Sequence, residues 1–267
     1  MNFIVTGAAG FIGYHTTKSI LENGHSVLGI DNINDFYDTK LKKERIYSLQ
    51  KFDNFKLNTI DLTNKNDVLD LQEDLQDINS IIHLAAFAGV RTSIIDPWAY
   101  QDNNVNATLN LLELCKMVKI KNFTLASTSS VYGDNKKLPT IESDISSFPL
   151  SPYAASKISA ELLAYTYHYH FKINIAVLRF FTVYGPFGRP DMVIFKFIKS
   201  ILDNNPITIY GDGNQTRDFT YVTDVADALV KSTTQKGFEI YNVGGGKAIS
   251  VNDLLGLIEK YLNKKAI

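Results

Sequence analysis

The 267-residue sequence predicts an α/β fold, a doubly wound parallel sheet followed by a smaller C-terminal lobe. Three observations predict it. Short apolar runs of strand character alternate with amphipathic helical runs through the first two thirds of the chain, as in a parallel sheet covered on both faces. Three glycines spaced three apart, Gly7, Gly10 and Gly13, stand between the first strand and the first helix. An acidic residue, Asp31, closes the second strand.

The expected strands lie near 2–6, 26–30, 55–60, 80–85, 122–127 and 174–179, with helices near 11–23, 38–50, 65–76, 98–118 and 152–171. Beyond Arg179 the texture changes. Tyr184-Gly185-Pro186-Phe187-Gly188-Arg189-Pro190-Asp191 and Tyr210-Gly211-Asp212-Gly213-Asn214 are loops rich in turn residues. Helical patterns follow them near 192–203, 222–233 and 250–262. The expected division is a Rossmann-type dinucleotide-binding domain over 1–180 and a substrate lobe over 181–267, with the chain crossing back to the first domain near 215–235. The basic cluster Lys40, Lys42, Lys43 and Arg45 reads most simply as the solvated face of a helix, with Arg45 or a neighbour in reach of a ligand as the alternative.

Composition narrows the class. Hydrophobic content of 45% and charged content of 21% are those of a soluble globular protein. A net charge of −1 makes no case for a nucleic acid or an acidic membrane surface as partner. The single cysteine, Cys115, excludes an internal disulfide framework and sits among Leu111, Leu112 and Leu114 as a buried helix residue. No apolar run approaches membrane-spanning length and the chain opens directly in a strand, so the expected compartment is the cytoplasm.

The glycine turn has a chemical reading. One glycine permits the tight turn, one lets backbone approach a pyrophosphate, and one lets the helix pack closely on the strand. The first helical amides, at Phe11, Ile12 and Gly13, then point at the phosphates with the positive end of the helix dipole. Asp31 stands where an acidic residue grips the adenosine ribose hydroxyls, and its charge repels the extra phosphate of NADP, so the expected cofactor is NAD. The plainer alternative for Asp31-Asn32 is ordinary turn chemistry.

Tyr153 and Lys157 lie four apart in a helical stretch that starts at Pro152, so they share a face. A nearby ammonium lowers the pKa of a phenol, which makes a base able to take the proton of a sugar or alcohol hydroxyl; for the pair alone, an ordinary helix face is the plainer reading. Upstream, Leu125-Ala126-Ser127-Thr128-Ser129-Ser130-Val131-Tyr132-Gly133 is a strand end that breaks into a hydroxyl-rich turn. A hydroxyl there can share the reacting proton; equally, such a turn can bond its own backbone. His168 and His170 follow on the same helix without further ligands at metal spacing, so no metal site is expected.

Taken together, these residues resemble the extended short-chain dehydrogenase/reductase family of nucleotide-sugar enzymes, the NAD-dependent epimerases and dehydratases. The resemblance runs through nearly the whole chain: Gly7-Gly10-Gly13, Asp31, Asp61-Leu62, His83-Leu84-Ala85-Ala86, the hydroxyl turn, Tyr153 with Lys157, Arg179-Phe180-Phe181-Thr182-Val183-Tyr184-Gly185-Pro186 and Arg217-Asp218-Phe219. It implies Thr128 as the catalytic hydroxyl, Tyr153 as the base and Lys157 as its tuner and a hold on the nicotinamide ribose. It places Asn32, Asp61 and Leu62 on the adenosine side, and Ala85 and Ala86 beside the pyrophosphate and nicotinamide. Dehydratases of the family carry Asp-Glu after the threonine, and its decarboxylases a Glu two residues on. Here Ser129 and Ser130 follow, neither able to do acid–base work near neutral pH. That leaves the simplest chemistry: oxidation at C4, rotation of the keto-sugar and reduction from the other face, a 4-epimerase.

Asp31-Asn32-Ile33-Asn34-Asp35-Phe36-Tyr37-Asp38 and Gly185-Pro186-Phe187-Gly188-Arg189-Pro190-Asp191-Met192 are similar to segments of the UDP-glucuronate 4-epimerases, which implies UDP-glucuronate as substrate and UDP-galacturonate as product. A sugar acid needs donors for its carboxylate, and an arginine offers a planar fork. Arg189 and Thr182 are the candidates, with Arg91 in reserve and Ser129 beside the sugar. The alternative for Arg189 is a pair with Asp191. Arg217 resembles the arginine on the nucleotide diphosphate; a salt bridge to Asp218 or Asp224 is its alternative. The family's substrate lobe usually continues past the helix near 250–262, so a short lobe that encloses the uridine incompletely is expected here. A homodimer through the helices near 98–118 and 152–171 is implied by the same resemblance. Competing readings are an epimerase of another UDP-hexose, a dehydrogenase that releases NADH, and an NAD-binding relative without turnover.

Overall fold

A computed structural model describes residues 1–73, 75, 77–135, 137–144 and 148–267. Among them, the strands are β1 (Asn2–Thr6), β2 (Ser26–Ile30), β3 (Phe55–Asn58), β4 (Ser80–His83), β5 (Asn122–Thr128), β6 (Asn174–Phe180), β7 (Thr182–Tyr184), β8 (Thr216–Tyr221), β9 (Phe238–Val243) and β10 (Ala248–Ser250). The α-helices are α1 (Phe11–Glu22), α2 (Thr39–Leu49), α3 (Lys65–Asp70), α4 (Val90–Ile95), α5 (Pro97–Tyr100), α6 (Ala107–Val118), α7 (Pro152–Phe171), α8 (Val193–Leu202), α9 (Val222–Ser232) and α10 (Val251–Leu262).

Seven strands form one parallel sheet in the order β3-β2-β1-β4-β5-β6-β9. The order reverses at β1, with β2 on one side and β4 on the other, and a crevice opens there beyond the carboxyl ends of the strands. Alternation within β1 divides the core: Phe3 and Val5 join the layer built with α1, α2 and α9, while Ile4 joins the layer with α3, α6 and α7. Each such fully buried aliphatic side chain is worth about 1.5–3 kcal/mol. A second sheet, β10-β8-β7, pairs β7 parallel and β10 antiparallel to β8, and packs with α8 and α10 around Phe197, Ile201, Leu254 and Ile258.

Most expected elements are present with shifted ends. Helix α7 begins where Ser151 accepts the Ala154 amide behind Pro152 and stops at Lys172 in the left-handed region. The helix expected over 65–76 stops at Asp70 and continues as a 3-10 turn over Leu71–Glu73, positions 74 and 76 lying outside the described residues. The single helix expected over 98–118 is three pieces: α5, a π-helical segment Gln101–Asn106, and α6. Hydrophobic period does not distinguish these pieces, since the departure serves one polar side chain. Asn104 turns inward, accepts the Phe87 amide (2.8 Å) and donates to Phe87 O (3.0 Å) and Ser156 Oγ (2.9 Å). Strands β7 and β10 have three residues each, too short for a periodicity to declare them; β8, β9 and helix α4, six residues each, are further elements absent from the sequence expectation.

The glycine turn is a steric necessity. Gly7 has φ +69°, and a Cβ there would stand 2.8 Å from Ala85 N on the neighbouring loop. A Cβ on Gly10 would lie 2.9 Å from Gly7 O, and one on Gly13 only 2.0 Å from it. By contrast, a Cβ on Gly256 in α10 meets open space. Gly13→Ala is therefore expected to destabilise by about 3 kcal/mol or more, since backbone must move. Gly256→Ala is expected to stabilise by about 0.5–1 kcal/mol. Urea unfolding midpoints of the two variants check the contrast.

Candidate active site

The crevice between the ends of β1 and β4 gathers most of the residues singled out in the sequence. Gly7, Gly10, Phe11, Ile12, Gly13, Asp31, Asn32, Asp61, Leu62, Ala85, Ala86, Tyr153, Lys157 and Arg189 all line it. Lys42, in the basic cluster whose alternative reading is a ligand contact, lines it as well, as do Asn34, Phe36, Tyr37 and Asn103, to which the sequence assigns no role. Of these, Asn34, Phe36 and Tyr37 fall inside the quoted loop after Asp31, which was the available signal.

The β1 end fixes the walls. Thr6 Oγ1 accepts the amides of Leu84 and Ala85, each at 3.1 Å, and lies 2.7 Å from His83 Nδ1. The other ring nitrogen of His83 reaches Thr108 Oγ1 at 3.0 Å. Burial, with the Lys157 charge behind it, pushes His83 down to about 3, so this histidine is a neutral spacer. Asp31 sits at the β2 end and accepts from Ala9 N (3.0 Å) and Ile33 N (2.8 Å). Asp61 accepts from Asn32 Nδ2 (3.0 Å) and from Thr63 N (2.9 Å) and Oγ1 (2.7 Å). Burial raises the Asp61 pKa, but those hydrogen bonds outweigh it and hold the carboxyl below its ordinary value. Asn110 Nδ2 donates to Leu62 O at 2.9 Å and secures the same loop from α6.

The basic cluster on α2 is not one solvated face. Lys40 and Lys43 are exposed, whereas Lys42 and Arg45 are buried. Lys42 Nζ donates to Asn34 Oδ1 (2.7 Å) and stands 4.0 Å from Asp31. Half of the cluster thus turns inward because the cleft supplies polar partners that solvent would otherwise supply.

On the facing wall, Tyr153 and Lys157 extend from α7 as their spacing requires. Burial raises the Tyr153 pKa, opposed by its hydrogen bond with Thr128 and by the positive charge of Arg189. The resemblance assigns that opposing role to Lys157. In the structure Lys157 Nζ donates to Ala126 O (3.0 Å), and burial pushes its own pKa down to about 8 against the pull of Glu161. One turn further along α7, Glu161 receives Arg179 Nε (3.1 Å) and Nη2 (2.7 Å) from β6, and the Ser127 hydroxyl from β5. Arg179 Nη1 also reaches Tyr132 Oη at 3.1 Å, and Tyr132 donates to Asn242 Oδ1. This buried network holds α7 against the sheet and so aims Tyr153 and Lys157 into the cleft.

Thr128 ends β5 and caps the following 3-10 turn, which contains Ser129, by accepting the Ser130 amide at 3.2 Å. Both readings of the hydroxyl turn therefore hold for one residue: Thr128 bonds local backbone and Tyr153. Thr182 opens β7, two residues past Phe180, which lines the cleft. Arg189 donates Nε (3.0 Å) and Nη2 (2.5 Å) to Asp191, and its guanidinium lies over the Phe36 ring at 5.5 Å.

Two arginines stand elsewhere. Arg91 lies over the Tyr210 ring at 4.3 Å and lines a separate groove with Pro190 and Asp191. Arg217 is exposed on β8 with Nη1 on Thr216 O (2.7 Å), while Asp218 accepts the amides of Gly245 and Gly246. His168 Nδ1 is 2.8 Å from Ile173 O, and the described residues hold no cluster of three metal-type ligands. Cys115 is buried in α6, which pushes its thiol pKa up. No described helix is long and apolar enough to cross a membrane.

The residues present fit a dinucleotide such as NAD. The turn at Gly7, Gly10 and Gly13 is a cradle that side chains would fill, and α1 has no side-chain cap, leaving its first amides to a ligand. Asp31 retains lone pairs for hydroxyl donors beyond its two backbone partners.

The profile of the NAD dependent epimerase/dehydratase family matches residues 3–244. The UDP-glucuronate 4-epimerase of Thermodesulfobacterium geofontis is 50% identical over 266 residues, 99% of this chain and 81% of that protein. The UDP-glucuronic acid 4-epimerase of Bacillus cereus, solved with UDP-glucuronic acid and NAD, superposes with a TM-score of 0.91 at 41% identity, covering 100% of this chain and 84% of that one. The UDP-N-acetylglucosamine 4-epimerase of Methanobrevibacter ruminantium gives 0.89 at 35% identity, covering 98% and 82%.

The lowered Lys157 pKa has a consequence for stability. Between about 8 and the ordinary lysine value of 10.5, the unfolded chain binds more proton at this position than the folded chain does. Lys157 therefore makes stability rise with pH across that window, as the buried charge is relieved. Denaturant unfolding of ligand-free protein through the window is expected to show this rise, and Lys157→Met to remove its share.

Proposed function

The chain belongs to the NAD-dependent epimerase/dehydratase family, and from that premise we propose that it is a UDP-sugar 4-epimerase that interconverts UDP-glucuronate and UDP-galacturonate. The observation that carries this reading is the meeting, in one cleft, of the glycine turn, the Tyr153–Lys157 pair and the Arg189 guanidinium.

NAD, when bound, supplies the reversible two-electron oxidation at C4. Gly7, Gly10 and Gly13 would take its pyrophosphate, Asp31 and Lys42 its adenosine ribose, and Lys157 its nicotinamide ribose. Tyr153 accepts the proton of the sugar hydroxyl at C4 and returns it. Burial is the main opponent of ionisation at Tyr153, and Thr128 and the positive charge of Arg189 favour the phenolate. Ser129 and Ser130 bring no acid or base to the sugar, which confines the chemistry to C4. Arg189 and Thr182 hold the carboxylate. That hold would also protect the intermediate, because the 4-keto sugar acid is a β-keto acid and loses carbon dioxide when its carboxylate turns out of plane with the carbonyl.

We extend the proposal to a homodimer. Trp98 on α5 and Leu162 and Tyr169 on α7 are exposed at 77%, 63% and 60%. Leu162 and Tyr169 lie seven apart on one helix face, an apolar strip that a second copy of α7 would cover. Light scattering after size exclusion is expected to give twice the chain mass, and Leu162→Glu with Tyr169→Glu to give monomer.

An NMR time course with UDP-glucuronate and catalytic NAD is expected to show the anomeric signals of UDP-galacturonate, without accumulated NADH or pentose. Tyr153→Phe is expected to lower the rate by about 10²–10⁴-fold. Arg189→Ala is expected to weaken UDP-glucuronate and release pentose nucleotide; normal epimerisation without pentose would remove Arg189 from the carboxylate site.

A further inference from the structure

Arg45 of α2 is fully buried, and among the described residues no carboxylate stands within ion-pair distance of it. A guanidinium taken from water without an ion partner needs strong hydrogen bonds in exchange. Its Nη1 donates to Ala9 O (2.8 Å) and Tyr37 Oη (2.6 Å), its Nη2 donates to Phe187 O (2.5 Å), and Nε lies buried without a partner. The three acceptors belong to three segments: the glycine turn, the loop after β2, and the loop after β7. Packing alone would be served by an uncharged chain of the same length.

The third segment is the informative one. Phe187 has φ +55°, a left-handed conformation unfavourable for a residue with a Cβ, so its carbonyl direction is imposed by its surroundings. The preceding carbonyl, Pro186 O, is bonded by His15 Nε2 from α1 at 2.9 Å. Two consecutive carbonyls of one loop are thus held from the cofactor side of the cleft. Two residues later the same loop delivers Arg189, which lies over Phe36, the neighbour of Tyr37.

We propose that Arg45 is a positioning residue for Arg189, tying the loop that bounds the adenosine side of the cleft to the loop that brings Arg189 to the sugar. The inference rests on the assignment of Arg189 to the substrate carboxylate. Through Arg45 the two halves of the cleft are set as one piece: displacement of residues 34–37 moves the Phe187 carbonyl, and with it the guanidinium two residues on.

Arg45→Met and His15→Leu, each loaded with NAD, test it. Losing a charged hydrogen bond of this kind is expected to raise KM for UDP-glucuronate about tenfold in Arg45→Met, with kcat changed less than about threefold. Hydrogen exchange across residues 184–191 should quicken in the same variant, because that loop opens locally. His15→Leu should show the same pattern to a smaller extent, and it decides the matter if Arg45→Met does not fold. In an Arg189→Ala background, Arg45→Met should add less than about twofold to KM, because its route of action is gone. Unchanged exchange across 184–191 in both variants, or a full KM penalty retained in the Arg189→Ala background, would overturn the proposal. A normal KM in Arg189→Ala alone would instead overturn the carboxylate assignment, while the exchange result still decides whether Arg45 fixes the loop.

Discussion

The carbonyl of Gly7 is closely approached by both Gly10 and Gly13, and the rest of the site is arranged around it. Gly10 and Gly13 are glycines because their Cβ positions fall on that oxygen, and Gly7 because its own Cβ falls on the backbone after β4. Strand β1, helix α1 and the Ala85 loop therefore meet with no side chain between them. That contact puts the uncapped start of α1 and the Ala85 amide at the mouth of the crevice together. Thr6, one residue earlier, binds the two amides of the Ala85 loop and fixes the register of the approach. The glycine spacing is thus a packing requirement first, and what it leaves empty is the cradle for a pyrophosphate.

On the opposite wall, burial and charge contend. Burial raises the pKa of Tyr153 and lowers that of Lys157 to about 8. Glu161 pairs with Arg179 beneath α7 and also favours the Lys157 charge, while Arg189 comes from another loop to face Tyr153. The Glu161–Arg179 pair is buried and bidentate, so breaking it by removing one partner costs about 3–5 kcal/mol. Its place is to hold the helix, and the tuning of the phenol falls to groups that substrate and cofactor can alter.

The sequence made the fold and much of the cleft legible because those features rest on local chemistry. Glycine spacing, an acid at a strand end and a Tyr–Lys pair one helical turn apart are readable without tertiary structure, and all of them line the same crevice. What escaped depends on long-range geometry. The π-helical segment exists to turn Asn104 toward Phe87 and Ser156, 17 and 52 residues away, and no periodicity records such a need. The α2 cluster reads as a solvated face because charge favours solvent, yet Lys42 and Arg45 find partners inside. Arg91 and Arg217 stand outside this crevice, and their placement depends on how the small sheet and its loops are set.

Arg189 shows how magnitude decides between readings. Its fork is already engaged by Asp191, the plainer of its two roles, and the Asp191 side chain is 47% exposed. An ion pair that open to water is worth no more than about 1 kcal/mol. A substrate carboxylate arriving in the cleft, away from bulk water, forms a stronger charged hydrogen bond, of about 1.5–3 kcal/mol. The pair with Asp191 therefore does not exclude the binding role. It keeps the guanidinium folded over Phe36, at the cleft, rather than extended into solvent. A neutral hexose offers no group able to compete for that fork, so the same weak pair that tolerates a sugar acid gives a neutral sugar nothing to displace it with. Under the proposed function, selectivity for the acid would then need no dedicated barrier against other sugars, only an arginine whose resting partner is readily exchanged.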